Sequence, residues 1–306
     1  MRAVAVSSVV ADGRAAGCRA IDLRVEDGIT LRLLPDRGLD AGEAWFAGVP
    51  LDWASPVGES AAVGRDWMLS FGGGLVVTCG LRNVGVPSEG VGQHGDLTFE
   101  RAVVEAVEQR ADGVLEVRGR VTEVAALGHH LELRRTWRTR AGEGLVELED
   151  VLVNRGRDTE PTPQLYHVNL GAPLWAEGAE LALDARATHP RDADAAPHAD
   201  SWHRAPGIVE GASERVFEHE VEPAPDGWCS ATVRNAALEL ELRWDAATLP
   251  RLWQWVHPAP GLGVLGLEPA NCSVLGRAHD RAEGRLPVLA PGEERRTRLQ
   301  IRARRA

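Results

Sequence analysis

Alternation of apolar and polar residues with a period of two is the dominant pattern along this chain. Four runs show it most clearly: VLEVRGRVTEV (114–124), HLELRRTWRTR (130–140), LVELEDVLV (145–153) and ALELELRW (237–244). Such alternation predicts antiparallel strands that bury one face. Gly-centred turns, ADG at 111–113 and AGEG at 141–144, separate neighbouring runs. The pattern therefore predicts an all-β protein, a large antiparallel sandwich or barrel.

Other periods are scarce. The best candidate for a helix is the short segment ESAAVGRDWMLS (59–70). The first residues of the chain, MRAVAVSSVV, are interpreted as a first strand rather than a signal peptide. Two segments break the pattern: 71–96 is Gly-rich, and 188–207 is polar and Pro-rich and shows no strand signal. Loops of that length are often functional, although a surface excursion explains the second equally well. Because the sequence shows neither an internal repeat nor a domain linker, we expect residues 1–306 to form a single domain.

Composition narrows the classes of partner. The chain has a formal net charge of −11, and all 34 basic residues are Arg. An acidic surface is unsuited to phosphate backbones, so we expect no nucleic-acid partner. No apolar run reaches the roughly 18 residues that a membrane span needs. The four cysteines lack any CxxC spacing, which argues against a zinc ribbon or a redox pair. We expect a soluble, cytoplasmic protein.

The apolar strand LYHVNLG (165–171) carries His167 and Asn169 two residues apart. Residues i and i+2 of a strand share a face, so an imidazole and a carboxamide should lie side by side. A single histidine in a strand is more often a hydrogen-bonded structural residue than a catalyst. The prolines of the preceding PTPQ (161–164) suggest a sheet edge or rim.

A second apolar strand, VLGL (264–267), runs directly into Glu268. A carboxylate at the end of a buried strand is unfavourable unless it is paired or functional, and desolvation would raise its pKa towards that of a general base. The alternative is that Glu268 has just emerged into solvent. His94 is a further candidate for acid–base chemistry, and it lies in QHGD (93–96) after the Gly-rich segment. Its simpler role is turn capping.

The remaining patterns favour proton transfer on a carbohydrate. Ten of the fifteen aromatic residues are Trp, and Trp253 and Trp255 share one face of WQWVHP (253–258), where an indole can stack on a sugar ring. Core packing is the simpler role for at least one of them. Neither a GxSxG elbow, an HExxH motif nor a P-loop is present. We therefore expect acid–base chemistry by His and Glu groups, with no metal and no cofactor.

Taken together, six segments resemble the aldose 1-epimerases, or galactose mutarotases, and most closely a bacterial branch of that superfamily with unassigned function. The segments are GGLVVTCGLRNVG (73–85), QHG (93–95), YHVNLGAP (166–173), LPRLWQW (249–255), EPANCSVLGR (268–277) and LAPGE (289–293). Each is weak alone, but as an ordered set they are specific. The resemblance spans roughly residues 30–306.

The resemblance implies a β-supersandwich and assigns roles to three residues. Glu268 would be the base that takes the proton of the anomeric hydroxyl, His167 the acid that protonates the ring oxygen, and His94 a group that positions that oxygen. The candidate contacts to the substrate are Arg82, Asn83, Asn169, Arg191, Asp192, Trp255 and Arg277. Trp255 would supply the stacking surface, and Arg277 and Arg191 are candidates for binding a phosphate.

The motifs also depart from those of the better-known mutarotases. YHVN stands where those proteins have NHxYxN, and the Asp that binds sugar hydroxyls has three candidates here: Asp192, Asp200 and Asp226. The resemblance therefore predicts the chemistry better than the substrate, which is a monosaccharide or a sugar acid.

Three hypotheses follow. A mutarotase would accelerate anomer interconversion, a sugar-binding or sensing protein would bind without turnover, and a related epimerase or lyase would use the same cleft. Retention of both His167 and Glu268 favours the first. The sequence leaves the phosphorylation of the sugar and the oligomeric state open, a homodimer included.

Overall fold

Two large antiparallel β-sheets dominate the computed structural model, which describes residues 2–62 and 64–306. One sheet has eleven strands and the other eight, and a two-stranded ribbon lies beside them. The two helices of this part of the chain are short. The all-β class expected from the period-two pattern is confirmed.

The strands are numbered in chain order. In the first half of the chain they are β1 (Ala3–Val9), β2 (Arg19–Val25), β3 (Ile29–Leu34), β4 (Asp40–Phe46), β5 (Val49–Pro50), β6 (Val76–Cys79), β7 (Val103–Gln109), β8 (Val114–Val124), β9 (His130–Arg140) and β10 (Leu145–Asn154). In the second half they are β11 (Glu160–Pro161), β12 (Leu165–Leu170), β13 (Glu180–Leu183), β14 (Ala185–Pro190), β15 (Arg215–Val221), β16 (Trp228–Arg234), β17 (Leu238–Asp245), β18 (Arg251–His257), β19 (Val264–Ala270), β20 (Val288–Leu289) and β21 (Glu294–Arg305). The helices are α1 (Trp67–Ser70) and α2 (Arg277–Ala282), and single 3₁₀ turns occur at Leu97–Phe99 and Ala196–His198.

The strand order explains which segments meet. The large sheet has the order β1-β2-β3-β4-β6-β12-β19-β18-β15-β14, with β5 on β4, and the smaller sheet has the order β13-β16-β17-β21-β10-β9-β8-β7. Strands β11 and β20 form the ribbon. Strands β12 and β19 are therefore neighbours in the middle of the large sheet, although about a hundred residues separate them in sequence.

Three local predictions are wrong. The segment 59–70 is helical only over α1, because Gly64 has a φ of +59° and the chain turns there; Val63 lies outside the described residues. Asp66 begins the helix, and its Oδ1 accepts a hydrogen bond from the Leu69 amide at 3.0 Å. The first residues of the predicted loop 188–207 belong to β14. The prolines of PTPQ precede β12 without placing it at a rim.

Alternation along β12 separates two environments. Tyr166, Val168 and Leu170 join the main hydrophobic core, which includes side chains from both sheets. Leu165 belongs to a second, smaller cluster together with Trp67 of α1. Since successive side chains of a strand point to opposite faces, His167 and Asn169 share the outer face with Leu165.

A buried polar network joins the two sheets behind β12. Arg135 on β9 forms ion pairs with Asp40 on β4 and Asp150 on β10, and it donates to Thr78 Oγ1 on β6 at 2.7 Å. The Tyr166 hydroxyl donates to Asp150 Oδ2 at 2.8 Å. Buried ionic groups are tolerated when every one is paired, and this network supplies such pairing. It fixes β12 from the core side, opposite His167.

All four cysteines are free thiols. No helix of the described residues combines the length and the apolar character that a membrane crossing requires. The cytoplasmic location and the single-domain organisation stay predictions.

Replacing Arg135 tests the contribution of this network. Arg135→Ala leaves the buried carboxylates of Asp40 and Asp150 without their cation, and we expect the free energy of unfolding to fall by about 3–5 kcal/mol. Arg134→Ala is the matched control, since Arg134 is exposed and pairs with Glu132 on the surface, where a loss below about 1 kcal/mol is expected. Denaturant unfolding measures both, and equal losses would contradict the assigned role.

Candidate active site

The pairing of β12 with β19 brings His167 and Glu268 together. The register aligns Val168 with Leu267 and Asn169 with Gly266, so His167 and Glu268 are directly opposite each other on the outer face. His167 Nε2 lies 3.1 Å from Glu268 Oε1. Both side chains are buried, with 5% and 3% of the residue surface exposed. Glu268 has therefore not emerged into solvent, and the two candidate groups are in contact.

Burial shifts both groups towards their uncharged forms. It raises the pKa of Glu268 to about 8, with a further contribution from the charge of Glu214. It lowers the pKa of His167 to about 3, and His94 adds to that lowering. At neutral pH the favoured state is thus a carboxylic acid in contact with a neutral imidazole, because desolvation disfavours charge.

His167 and Glu268 are close enough to exchange a proton directly. Moving one proton from Glu268 to His167 Nε2 converts the neutral pair into a carboxylate and an imidazolium without exchange with solvent. Groups coupled this closely titrate together rather than separately. The arrangement can therefore present a base and an acid at the same time to a ligand that comes between the two groups.

Asn169 lies beside the imidazole, is bonded to backbone carbonyls and does not line the cavity. Its carboxamide nitrogen donates to the carbonyls of Gly74 and His167, at 2.9 and 3.0 Å, and the residue is fully buried. Within the described residues, its Oδ1 and His167 Nδ1 both lack a hydrogen-bond partner of good geometry, yet the carboxamide is close enough to raise the pKa of His167. An amide oxygen favours a proton on Nδ1, which leaves Nε2 to face Glu268.

Gly266 makes room for this contact. A Cβ atom at this position would lie 2.8 Å from Glu268 Oε1 and 3.0 Å from His167 Cε1. Both distances are shorter than ordinary carbon contacts, so a side chain here would displace one of the two groups. The glycine is needed for space at the site and not for an unusual backbone angle.

The pair opens into a cavity of about 650 Å³ on the outer face of the large sheet. Aromatic side chains form much of its wall: Trp53, Trp67, Phe71 and Trp255. The Trp255 ring lies edge-on to His167, with centroids 5.4 Å apart. Aromatic faces beside a few convergent polar groups are typical of small-ligand sites. Trp253, by contrast, packs in the smaller hydrophobic cluster.

His94 reaches the same cavity from a strained turn. Its φ is +57°, in the left-handed region, and its Nδ1 accepts a hydrogen bond from the Gly85 amide at 3.4 Å. The ring packs on Trp67 at 4.5 Å and lies 6.2 Å from the ring of His167. Burial lowers the pKa of His94 to about 4, so at neutral pH its free Nε2 carries a proton and can donate.

Arg191 and Glu214 form the charged part of the cavity wall. Arg191 Nη2 donates to Glu214 Oε1 at 2.7 Å, and Glu214 Oε2 accepts from Trp255 Nε1 at 2.9 Å. Arg191 also donates to Asp192 Oδ2 at 2.7 Å. Asp192 itself does not line the cavity. Its Oδ1 accepts hydrogen bonds from the backbone amides of its own turn.

Three further candidates lie outside the cavity. The side chain of Asn83 donates to the carbonyls of Val86 and Gly92 and accepts from the Arg277 amide, so it ties loops together. Arg277 pairs with Glu89. Arg82 has its nearest carboxylate, Glu123 on β8, at 3.8 Å. We assign these residues structural roles, and their predicted contacts to a substrate have no support in this geometry.

No group of three or more His, Cys, Asp and Glu side chains converges as a metal site within residues 2–62 and 64–306. His167 and Glu268 supply two adjacent donors, while the His94 ring is held apart on Trp67. The chemistry that this set supports directly is proton transfer.

Several cavity residues were missed from the sequence. Glu214 lies in a loop without a motif, and Trp53 and Phe71 belong to segments with no regular pattern. Gly266 alone is marked by the sequence, because it is a glycine two residues before Glu268 within an apolar strand. Their positions depend on long-range contacts between segments that are remote in sequence.

Comparison with known proteins agrees with this architecture. The model of the family described as "Domain of unknown function (DUF4432)" matches residues 15–303. The chain belongs to the DUF4432 family. No curated protein matches this DUF4432 chain.

Solved structures resemble this DUF4432 protein closely in fold. A candidate aldose 1-epimerase from Klebsiella pneumoniae superposes with a TM-score of 0.92 at 24% identity, covering 98% of this chain and 83% of that one. A galactose mutarotase-like protein from Clostridium acetobutylicum has a TM-score of 0.68 at 11% identity, with 99% of both chains covered. Galactose 1-epimerase from Lactobacillus acidophilus has a TM-score of 0.65 at 11% identity over the full length of both chains. The galactose mutarotase-like supersandwich predicted from the motifs is confirmed.

Glu268→Gln should change how stability depends on pH. Because folding raises the pKa of Glu268 from its usual 4.5 to about 8, the folded protein binds more protons than the unfolded chain between these values. The contribution of Glu268 to the free energy of unfolding should therefore fall as pH rises, by up to about 1.4 kcal/mol per pH unit. Denaturant unfolding across this range measures the free energy of unfolding of the natural protein minus that of Glu268→Gln, and this value should fall with rising pH. Parallel pH profiles would contradict the raised pKa.

Proposed function

We propose that this protein is an aldose 1-epimerase, a mutarotase that interconverts the anomers of a free sugar. The observation that carries the proposal is the 3.1 Å contact between buried His167 and Glu268 at the base of the cavity. The aromatic walls provide surfaces on which the C–H faces of a sugar ring can pack. The fold shared with galactose 1-epimerase from Lactobacillus acidophilus supports the same reaction class.

The proposed reaction opens and closes the sugar ring. Glu268 takes the proton of the anomeric hydroxyl, and the electron pair of that O–H bond forms the C1 carbonyl. The bond between C1 and the ring oxygen breaks, and the ring oxygen takes a proton from His167. Rotation about C1–C2 presents the other carbonyl face, and closure with reversed roles gives the other anomer. Protons and electrons balance without a cofactor.

The electrostatics of the site suit this sequence of steps. The reactive form, carboxylate and imidazolium, differs from the resting neutral pair only by the position of one proton. A sugar whose anomeric hydroxyl meets Glu268 and whose ring oxygen meets His167 replaces the direct contact between the two groups. Each positioned proton transfer contributes about 10²–10⁴-fold to a rate. His94, with a donor on Nε2, would stabilise negative charge on the ring oxygen.

Glu268→Gln and His167→Gln should each abolish most of the rate enhancement. Each substitution removes one proton-transfer group and preserves its approximate size, so we expect kcat to fall by about 10²–10⁴-fold. NMR exchange between the anomers of a panel of aldoses measures the rate. Glu220→Gln is the control, because Glu220 pairs with exposed Arg186 outside the cavity. An unchanged rate in Glu268→Gln would disprove the mechanism, and sugar binding without any rate enhancement in the natural protein would indicate a binding protein.

Gly266→Ala tests the spacing of the pair without removing either group. The new methyl group would meet Glu268 Oε1 and His167 Cε1, so we expect kcat/KM to fall by at least about 10²-fold while the fold is kept. Gly207→Ala is the matched control, since its Cβ would meet only the Glu177 carboxylate, at 3.8 Å. Anomer exchange and denaturant unfolding separate activity from stability. Full activity in Gly266→Ala would show that the spacing between His167 and Glu268 is not critical to the reaction.

A further inference from the structure

Among the described residues, the cavity wall has a single cationic side chain at neutral pH, and that side chain is already neutralised. Arg191 lies between two carboxylates, with Nη2 at 2.7 Å from Glu214 Oε1 and Nε at 2.7 Å from Asp192 Oδ2. Glu214 is held in place by a second bond, from Trp255 Nε1 to its Oε2 at 2.9 Å. The carboxylate of Glu214 therefore stays beside the guanidinium and faces the same cavity as His167 and Glu268.

The rest of the wall adds no positive charge at neutral pH. The three histidines that line the cavity all have lowered pKa values because of desolvation: His94 and His167 are surrounded by protein, and His257 is half-buried. The chain contains no Lys, and no other Arg lines this cavity among the residues that the structure describes. Arg191, Asp192 and Glu214 together carry a formal charge of −1.

An anionic sugar would have no free cation to meet. A carboxylate or phosphate that reaches Arg191 would either lie against the carboxylate of Glu214 or displace it from both Arg191 and Trp255. Like charges brought together at an interface are strongly disfavoured, and a buried charge without a partner is unfavourable. An uncharged sugar avoids this conflict, and its hydroxyls can donate to the carboxylate oxygens of Glu214.

We propose that the cavity selects uncharged aldoses against sugar acids and sugar phosphates, and that Glu214 is the specificity-determining residue. This inference rests on the proposed function for the identity of the ligand as a sugar. Glu214 acts by occupying the guanidinium that an anionic substituent would otherwise bind. The sugar acid that the sequence left open is therefore not the preferred substrate.

Binding measurements test the selection separately from turnover. NMR-detected titrations would compare galactose with galacturonate, and glucose with glucuronate and glucose 6-phosphate. We expect each neutral sugar to bind the natural protein at least about tenfold more tightly than its anionic counterpart. In Glu214→Gln the amide oxygen can still accept from Trp255 while the negative charge is gone, and we expect the ratio to fall by about tenfold. Glu220→Gln, a surface carboxylate of similar exposure paired with Arg186, should keep the natural ratio.

Tighter binding of an anionic sugar than of its neutral counterpart, or no binding of any neutral sugar, would overturn the inference. An unchanged ratio in Glu214→Gln would overturn the role of that residue. These outcomes are distinct from failure of the proposed function, in which a neutral sugar binds with the expected preference but its anomers exchange no faster than in water.

Discussion

The 3.1 Å contact between His167 and Glu268 depends on the register of two central strands, and the site is organised around it. A slip of β12 by one residue would turn His167 into the core and bring Tyr166 to the cavity. The buried network of Arg135, Asp150 and Tyr166 opposes such a slip, because Tyr166 is bonded on the core side of the same strand. Packing and polar pairing in the core thus fix a contact on the opposite face.

Burial gives this contact its chemical character. In water a carboxyl group and an imidazole so close would be an ion pair near neutral pH, whereas desolvation makes the uncharged pair competitive. The resting pair then keeps its proton on Glu268, and transfer of that proton to His167 Nε2 gives the carboxylate and the imidazolium that act as base and acid.

The sequence revealed the parts of the site that follow from local pattern. Alternation predicted the strands, and the positions of His167 and Glu268 in apolar runs marked them as candidates. Asn83 and Arg277 do not line the cavity, and their motif could not reveal this because it does not tell whether a polar side chain faces a cavity or a backbone carbonyl. Glu214 could not be found, since its relation to Arg191 arises only when the loop before β15 folds back. Contacts of this kind depend on tertiary structure rather than on spacing.

A crystal structure with a bound neutral aldose tests the central claim most directly. We predict the anomeric hydroxyl within hydrogen-bonding distance of Glu268, the ring oxygen within the same distance of His167 Nε2, and the direct bond between the two side chains replaced. A sugar bound elsewhere in the cavity, with His167 and Glu268 still hydrogen-bonded to each other beneath it, would contradict this mechanism.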